Sequence, residues 1–506
     1  MEPSQTVFGV IGAGTMGRGI VQWAAQSGMT VRLHDSGPGA VEAALKSIHA
    51  MWDRMVSKDR MTAADADAAK ARLTVVEGLE GFAGCDIVVE AIVERIDAKQ
   101  SLFAALEPIV GPECLITTNT SSLSVTAIAA GLERPERVAG LHFFNPVPLM
   151  RLVEVVNATR TEDGAAERLS ALVTATGHHP VICRDSPGFI VNHAGRAYYT
   201  EGLRLLQEGI AEAADIDRIL NETAGFPMGP FTLMDLTGLD VSGVVMQTIY
   251  DQFFHDPRLR PTPLVPLRIS AGLHGRKTGE GFYRYDDGKR VDVPEAPPRP
   301  GSRHAVWIDP RDAGGDRVGA LLSEVGLTVE GGERPGADAT IVVAPLGADT
   351  TTTALERGFD PARTIAVDTL LPQAFAEGGR LTLMISPAGD SDRVDGLHHA
   401  LHAAGRRATV IRDSAGFVVQ RVVAAVVNLG SDIAQQRVGA PQDIDTAVRL
   451  GLGYPAGPLS LGDRIGPAKV VSILDAMENF YGDGRYRVSP WLRRRAALGL
   501  SLLTDD

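Results

Sequence analysis

His142 and Glu154 stand twelve residues apart in "HFFNPVPLMRLVEVV", a spacing that sets them face to face if "AGLHFF" and "LVEVV" are strands joined by the proline-containing loop. A carboxylate on one ring nitrogen fixes the tautomer of an imidazole and leaves the other nitrogen to take a proton, which suits removal of a hydroxyl proton as a hydride departs. A solitary histidine is more often a core residue satisfied by backbone; here its company favours chemistry. "TTNTSSL" ends another candidate strand and offers Asn119, Ser121 and Ser122 to the edge where parallel sheets bind ligands. One of Ser121, Ser122 and Ser124 must also cap the helix of "LSVTAIAAGL". In "DSPGFIVNHAGRA", Pro187-Gly188 is expected to start a helix, with Asn192 about one turn inside, where its amide reaches a bound carbonyl oxygen or simply faces solvent.

A second constellation lies near the start. "VFGVIGAGTMGRGI" reads as a strand, then Gly12, Ala13, Gly14, Thr15, Met16 and Gly17, then a helix with Ile20, Trp23 and Ala24 on one face. Glycines serve a tight turn, close approach of backbone to a pyrophosphate, and close packing of helix on strand. Asp35, twenty-one residues past Gly14, ends the next strand candidate. It would accept hydrogen bonds from an adenosine ribose and repel a 2'-phosphate, so NAD is expected rather than NADP.

These residues need a scaffold. "VFGVIG", "TVRLHD", "DIVVEAI", "LITTNT", "VAGLHFF" and "LVEVV" alternate with helical stretches, which predicts a parallel sheet covered on both faces. Ser36 to Arg72 is longer than a crossover requires and suggests an extra helical hairpin. From Asp185 to Phe282 strand signals give way to helices, including "AADIDRILNETAGF", where Asp215 can cap and Gly225 can terminate. "DDGKRVDVPEAPPRPGS" then reads as a semi-rigid linker. Beyond it "HAVWID", "GLTVE", "DATIVVAP", "RTIAVDT" and "RLTLMIS" repeat the alternation before a strand-poor tail from Asp413.

The chain is internally duplicated. Asp185, Gly188, Asp217, Gly225, Pro227, Gly229-Pro230 and Asp235 recur 228 residues later as Asp413, Gly416, Asp445, Gly453, Pro455, Gly457-Pro458 and Asp463. "CDIVVEAIVE" answers to "ADATIVVAPL", and "TTNTSSL" to "AVDTLL".

Composition narrows the function classes. At 506 residues the chain suggests three or four domains, and 44% hydrophobic with 22% charged residues is ordinary for a globular protein. The net charge of −13 argues against nucleic acid or an anionic membrane surface as partner, while leaving room for a local basic pocket. Three cysteines without CxxC spacing indicate neither a disulfide framework nor a metal site. No long apolar run or signal-like opening occurs, so a cytoplasmic location is expected.

Taken together, "GAGTMG", "AIVE", "NTSSL", "HFFNPVPLMRLVEVV", "DSPGFIVN" and "GRKTGEGFY" resemble the L-3-hydroxyacyl-CoA dehydrogenase family, continuously from about Val7 to Tyr285. The resemblance implies an α/β Rossmann-type NAD-binding domain over residues 1–185 and an all-helical domain over 186–285. After a linker at 286–302, the internal duplication predicts a degenerate second copy of both, a Rossmann-like domain at 303–411 and a helical domain at 412–506. The resemblance implies His142 as general base, Glu154 as its orienting partner, and Ser121 and Asn192 as ligands of the substrate oxygens. For the cofactor it implies the Gly12 to Gly17 loop, Asp35, Glu94, Lys99, Ser121, Asn145 and Lys277; for CoA phosphate, Lys58 or Arg60. Copy two has no GxGxxG, and its "RLTLMISP", matched to "RVAGLHFFNP", has no histidine. Gln420 replaces Asn192. A single active site per chain is therefore expected, with the helical copies paired as an internal pseudo-dimer and a homodimer of whole chains also compatible. Two-copy chains of this length resemble 3-hydroxyadipyl-CoA dehydrogenases of phenylacetate catabolism; a 3-hydroxybutyryl-CoA enzyme of fatty-acid metabolism is the alternative, and a catalytically silent nucleotide-binding structural protein the reading from another class.

Overall fold

Two compact units emerge from the computed structural model, which describes residues 2–505, and they do not follow chain order. Unit 1 runs to His193 and adds Gln436–Leu452; unit 2 is Ala194–Gln435 with Gly453 onward. Among the described residues no helix is long and apolar enough to cross a membrane.

Unit 1 is built on β1 (Val7–Ile11), α1 (Thr15–Gln26), β2 (Thr30–His34), α2 (Ala40–Val56), α3 (Ala63–Ala71), β3 (Leu73–Val75), β4 (Ile87–Glu90), α4 (Ile96–Leu106), β5 (Leu115–Thr118), α5 (Val125–Ala129), β6 (Val138–Phe143), β7 (Leu152–Asn157), α6 (Ala165–Ala175) and β8 (His179–Arg184). The sheet order is β3-β2-β1-β4-β5-β6-β7-β8. Neighbours are parallel except β6 and β7. The central strands read as near-continuous apolar runs because helices cover both faces, and Phe8, Val10, Ile87, Val88 and Val89 have no exposure. Helix α1 buries Ile20, Trp23 and Ala24 as its periodicity predicts, and the α2–α3 hairpin joins the same core through Ile48, Trp52 and Ala69. Strands β3 and β8 escape the sequence pattern: "LTV" is too short, and "HPVICR" opens on His-Pro.

Helix α7 (Val191–Gln207) leads into unit 2, followed by α8 (Ala213–Ala224), α9 (Pro230–Thr237), α10 (Leu239–Gln252) and α11 (Leu264–Ser270). A small hairpin, β9 (Tyr285–Asp286) and β10 (Lys289–Arg290), occupies the start of the expected linker. The second sheet comprises β11 (Val306–Ile308), β12 (Val329–Glu330), β13 (Thr340–Val343), β14 (Thr364–Val367), β15 (Arg380–Ile385) and β16 (Arg407–Arg412) in the order β12-β11-β13-β14-β15-β16. Strand β16, "RATVIR", also escapes the sequence pattern, because arginines bracket it. The helices of this sheet are α12 (Gly315–Glu324), α13 (Thr350–Glu356) and α14 (Ser391–Ala403). Then come α15 (Val418–Gln435), α16 (Pro441–Leu452), α17 (Pro458–Ile465), α18 (Pro467–Tyr481) and α19 (Pro490–Leu498).

Two local expectations are corrected. Asp215 does not cap α8; Glu212 holds the N-cap and Asp215 pairs with Arg218 from the first turn, while Gly225 ends the helix at φ 75° as expected. Helix α7 starts at Val191 because Gly188 and Phe189 both take positive φ, so Asn192 is its second residue rather than a turn inside.

The duplication is visible element by element. α8, α9 and α10 return 228 residues later as α16, α17 and α18, and β7 and β8 as β15 and β16. This register revises the match for "RLTLMIS". β15 is the counterpart of β7, not of β6, and it pairs antiparallel directly with β14. Copy two has therefore lost the histidine-bearing strand outright, together with β3 and the α2–α3 hairpin, since only nine residues join β12 to β13.

Each unit mixes the copies reciprocally. In unit 1, helix α16 of copy two lies on β7 and β8, and the Arg184 amide donates to Val438 O at 2.7 Å. In unit 2, helix α8 of copy one lies on β15, and the Arg412 amide donates to Ile210 O at 3.0 Å. The two hydrogen bonds are related by the same 228-residue shift.

Packing repeats at the same interval. A Cβ on Gly202 would lie 2.7 Å from the Pro230 ring, and one on Gly430 2.5 Å from that of Pro458. A proline ring cannot swing aside, so Gly202→Ala and Gly430→Ala should each destabilise the fold by about 1–3 kcal/mol as overpacking substitutions do. Thermal unfolding of the two variants checks this; an unchanged midpoint in both would refute the tight α7–α9 and α15–α17 contacts.

Candidate active site

The antiparallel pairing of β6 and β7 puts His142 directly opposite Glu154. Their side chains meet at 2.7 Å, Nδ1 to Oε2, with His142 5% and Glu154 0% exposed. The carboxylate accepts from Nδ1–H, leaving Nε2 as the nitrogen with a lone pair. Phe144 and Phe189 pack on the imidazole at ring-centroid distances of 4.5 and 5.7 Å. The other Glu154 oxygen accepts from the backbone amides of Ile190 and Val191, at 3.0 and 2.9 Å. Those amides open α7, so a buried charge is satisfied by imidazole and helix terminus together.

Asn192 follows immediately on α7, and its amide donates to Ser121 O at 3.4 Å. The Ser121 loop is fastened from two sides. Ser124 caps α5 and donates to Asp185, which also accepts from the Thr126 amide. On the other side one oxygen of Glu94 accepts from the Thr120 hydroxyl, the Ser121 amide, and both the amide and hydroxyl of Ser122. Lys99 is 1% exposed, its ammonium 2.7 Å from Glu90 and 3.2 Å from Glu94. It braces Glu94 from behind rather than opening to solvent. Glu90, whose carboxylate Thr118 also contacts, is the site residue that the sequence patterns did not reveal. A charged residue ending an otherwise apolar central strand, "DIVVEAI", is the signal that could have found it.

The dinucleotide turn has the required geometry. A Cβ on Gly17 would fall 1.8 Å from Gly12 O, and one on Gly12, at φ 107°, 2.6 Å from Ala91 O. Gly14, N-cap of α1, has nothing within 4 Å of that position. The open face beside a helix N-terminus fits a pyrophosphate. Asp35 is fixed at the end of β2, accepting from the Ala13 amide at 2.6 Å and the Gly37 amide at 2.7 Å. Ala13 is buried, whereas Thr15 is exposed and Met16 half-buried.

The remaining expected residues are dispersed. Asn145 is exposed in the loop after β6, and Lys58 and Arg60 are exposed in the turn between α2 and α3. Lys277 belongs to unit 2, where its ammonium pairs with Asp240 at 2.6 Å.

Copy two is closed at the matching place. Gln420 accepts from the Gly347 amide at 2.8 Å and donates to Pro345 O at 3.2 Å and to Asp368 at 3.0 Å. Asp368 follows β14 as Asn119 follows β5, and burial pushes its carboxyl up. Thr382 stands where β7 carries Glu154.

Comparison with known proteins agrees with this division. The model of the 3-hydroxyacyl-CoA dehydrogenase NAD binding domain matches residues 7–186, and that of the 3-hydroxyacyl-CoA dehydrogenase C-terminal domain matches twice, at 188–285 and 416–501. The chain is 35% identical over 499 residues to the 3-hydroxyadipyl-CoA dehydrogenase of Escherichia coli K12, covering 98% of each. It is 39% identical over 282 residues to the human mitochondrial hydroxyacyl-coenzyme A dehydrogenase, covering 54% of this chain and 90% of that one. A crystal structure described as 3-hydroxybutyryl-CoA dehydrogenase from Escherichia coli K12 superposes with a TM-score of 0.84 at 33% identity, covering 97% and 98%.

Glu94 gives a pH signature. Burial alone would push its carboxyl up, but Lys99 and the hydrogen bonds from Thr120, Ser121 and Ser122 more than offset that and hold it below the ordinary 4.5. The unfolded chain binds this proton more readily than the folded one, so the stabilisation is present above 4.5 and lost as pH falls through the depressed value. Glu94→Gln should flatten the acid limb of the thermal stability profile below pH 4.5, compared with the native chain. Parallel profiles would mean that the carboxylate does not hold the loop.

Proposed function

The chain belongs to the 3-hydroxyacyl-CoA dehydrogenase family of NAD-dependent oxidoreductases, and from that premise we propose that its one active site oxidises a (3S)-3-hydroxyacyl-CoA with a dicarboxylic acyl group, 3-hydroxyadipyl-CoA foremost, in aromatic catabolism. The observation that carries the site assignment is the buried His142–Glu154 pair, 2.7 Å apart and locked to the start of the helix bearing Asn192.

Nε2 of His142 takes the proton of the C3 hydroxyl, and Glu154 stabilises the imidazolium that forms. Ser121 and Asn192 orient the hydroxyl and thioester oxygens, so that C3 is held in a reactive pose. Bound NAD supplies the hydride acceptor. The Gly12 to Gly17 loop and Asp35 would hold its pyrophosphate and ribose, and Glu94, Asn145 and Lys277 are the further cofactor residues that the family resemblance implies. Lys99 acts through Glu94, and Lys58 or Arg60 neutralises CoA phosphate.

Substrate choice rests on the full-length relative named for 3-hydroxyadipyl-CoA. The short-chain alternative, 3-hydroxybutyryl-CoA, draws on the superposed Escherichia coli crystal structure, which bears that substrate's name, and on a 42%-identical Deinococcus radiodurans relative. We read copy two as structural, its helical region paired with that of copy one, and the protein as cytoplasmic.

An NADH absorbance assay with 3-hydroxyadipyl-CoA and 3-hydroxybutyryl-CoA separates these readings: higher kcat/KM for the adipyl substrate supports the proposal, and preference for the butyryl substrate selects the alternative. His142→Gln should lower kcat by about 10²-fold or more with NAD affinity nearly intact; unchanged turnover would remove His142 from its role. Truncation after Gly288 strips α16 from β7 and β8, so the fragment should aggregate or associate. A soluble, fully active fragment would show copy two to be dispensable.

A further inference from the structure

The loop between β6 and β7, residues 144–151, follows the strand that carries His142 and bears Asn145, one of the cofactor residues that the resemblance implies. Phe144 packs on the His142 ring. In the middle of the loop Val147 is 1% exposed, and its side chain fills a notch on α1, where a Cβ on Gly19 would lie 2.8 Å from Val147 Cγ2. The Val147 carbonyl oxygen lies 3.3 Å from Nε2 of His178, in the turn before β8. The other ring nitrogen, Nδ1, lies 3.2 Å from Nε1 of Trp23 on α1, which also donates to the Thr176 hydroxyl at 3.2 Å. Trp23 in turn packs edge-on against Phe143, with ring centroids 4.8 Å apart.

An indole N–H only donates, so Nδ1 of His178 must be the acceptor and the ring hydrogen sits on Nε2, aimed at Val147 O. The Thr176 hydroxyl spends its own hydrogen on Val173 O at 2.6 Å, so it too meets the indole as an acceptor. A proton added to Nδ1 would set donor against donor and break the chain of contacts from α1 to the loop. Burial holds the ring below its ordinary 6.5; the positive charge of Arg151 in the same loop acts in the same direction, against the hydrogen bonds to Val147 and Thr176. Trp23, Thr176 and Val147, which surround the rest of the ring, carry no charge. Copy two supplies the comparison. The turn is preserved 228 residues on, with Gly177 at φ 77° matched by Gly405 at φ 73°, and the residue in place of His178 is Arg406. There β6 and its loop are missing, and Arg406 ties to Glu324 at the end of α12, at 3.1 Å, and to Phe375 O at 3.4 Å. The neutral ring stands in the copy whose loop adjoins His142, and a permanent charge stands in the copy without that loop.

We propose that His178, in its neutral form with the hydrogen on Nε2, is a positioning residue that clasps the 144–151 loop to α1 and thereby keeps Phe144 and Asn145 in place beside His142. Trp23 sets the tautomer, His178 passes that constraint to Val147, and the loop passes it to the site. The inference rests on the site assignment made above, and it is separable from it because the order of the loop can be read without turnover.

The test uses the full chain, with amide hydrogen exchange and the NADH absorbance assay as readouts. His178→Leu keeps the bulk and loses both hydrogen bonds. It should speed exchange at Leu149 and Met150, whose amides bond Pro146 O at 2.9 and 3.0 Å, and lower kcat/KM, each by about tenfold, the size of one lost hydrogen bond. His178→Gln offers both an acceptor and a donor and takes no proton, so it should recover most of both losses. Because His142 is common to both chains, the ratio of kcat/KM in His178→Gln to that in the native chain should rise as pH falls from about 7.5 to about 5.5, where the native ring gains its proton. A His178→Leu chain with a lowered melting temperature but native loop exchange and kcat/KM would reduce His178 to packing, and a flat ratio would mean that the charged ring serves as well; either result overturns the inference. Absence of NADH formation by the native chain would overturn the site assignment instead, whereas the exchange rates alone decide whether His178 holds the loop.

Discussion

Glu154 is a fully buried carboxylate, and burying a charge is tolerable only when its oxygens are satisfied. One oxygen takes the His142 ring and the other takes two amides at the mouth of α7. These contacts tie together three things that the proposed chemistry requires: the tautomer of His142, the proposed base, the antiparallel register of β6 on β7, and the start of the helix that presents Asn192. The turn before α7 is shaped to the same end. Gly188 and Phe189 adopt left-handed backbone, which delays the helix until its first free amides point at the carboxylate. Without Glu154 the imidazole would lose its orientation and α7 its anchor.

Much of this was legible because antiparallel strands convert sequence spacing into contact. Twelve residues with a proline loop between two apolar runs sufficed to bring His142 to Glu154, and the GxGxxG with a distal Asp35 is equally local. What escaped was non-local. Glu90 and Lys99 lie on a strand and the following helix, and nothing in their spacing says that the lysine turns inward to brace Glu94 rather than outward to a ligand. The loss of β6 in copy two was hidden because "RLTLMIS" is a plausible apolar strand for either neighbour. The 228-residue register and the pairing direction, antiparallel with β14 and parallel with β16, together identify it as the counterpart of β7.

The divergence of copy two follows the same physical logic as the proposed site of copy one. Removing β6 removes the histidine, and Thr382 replaces a carboxylate that would otherwise be buried without a partner. Gln420, one methylene longer than asparagine, reaches across to Pro345, Gly347 and Asp368 and ties those loops together. Both ends of the Gln420 amide are thereby satisfied within the protein.

What copy two covers gives a physical reason for its retention. Helix α16 lies on the outer strands of the catalytic sheet, and the backbone of Val438 accepts from Arg184 at the very end of β8. An edge strand left bare invites pairing with another chain, so the catalytic unit depends on copy two for closure.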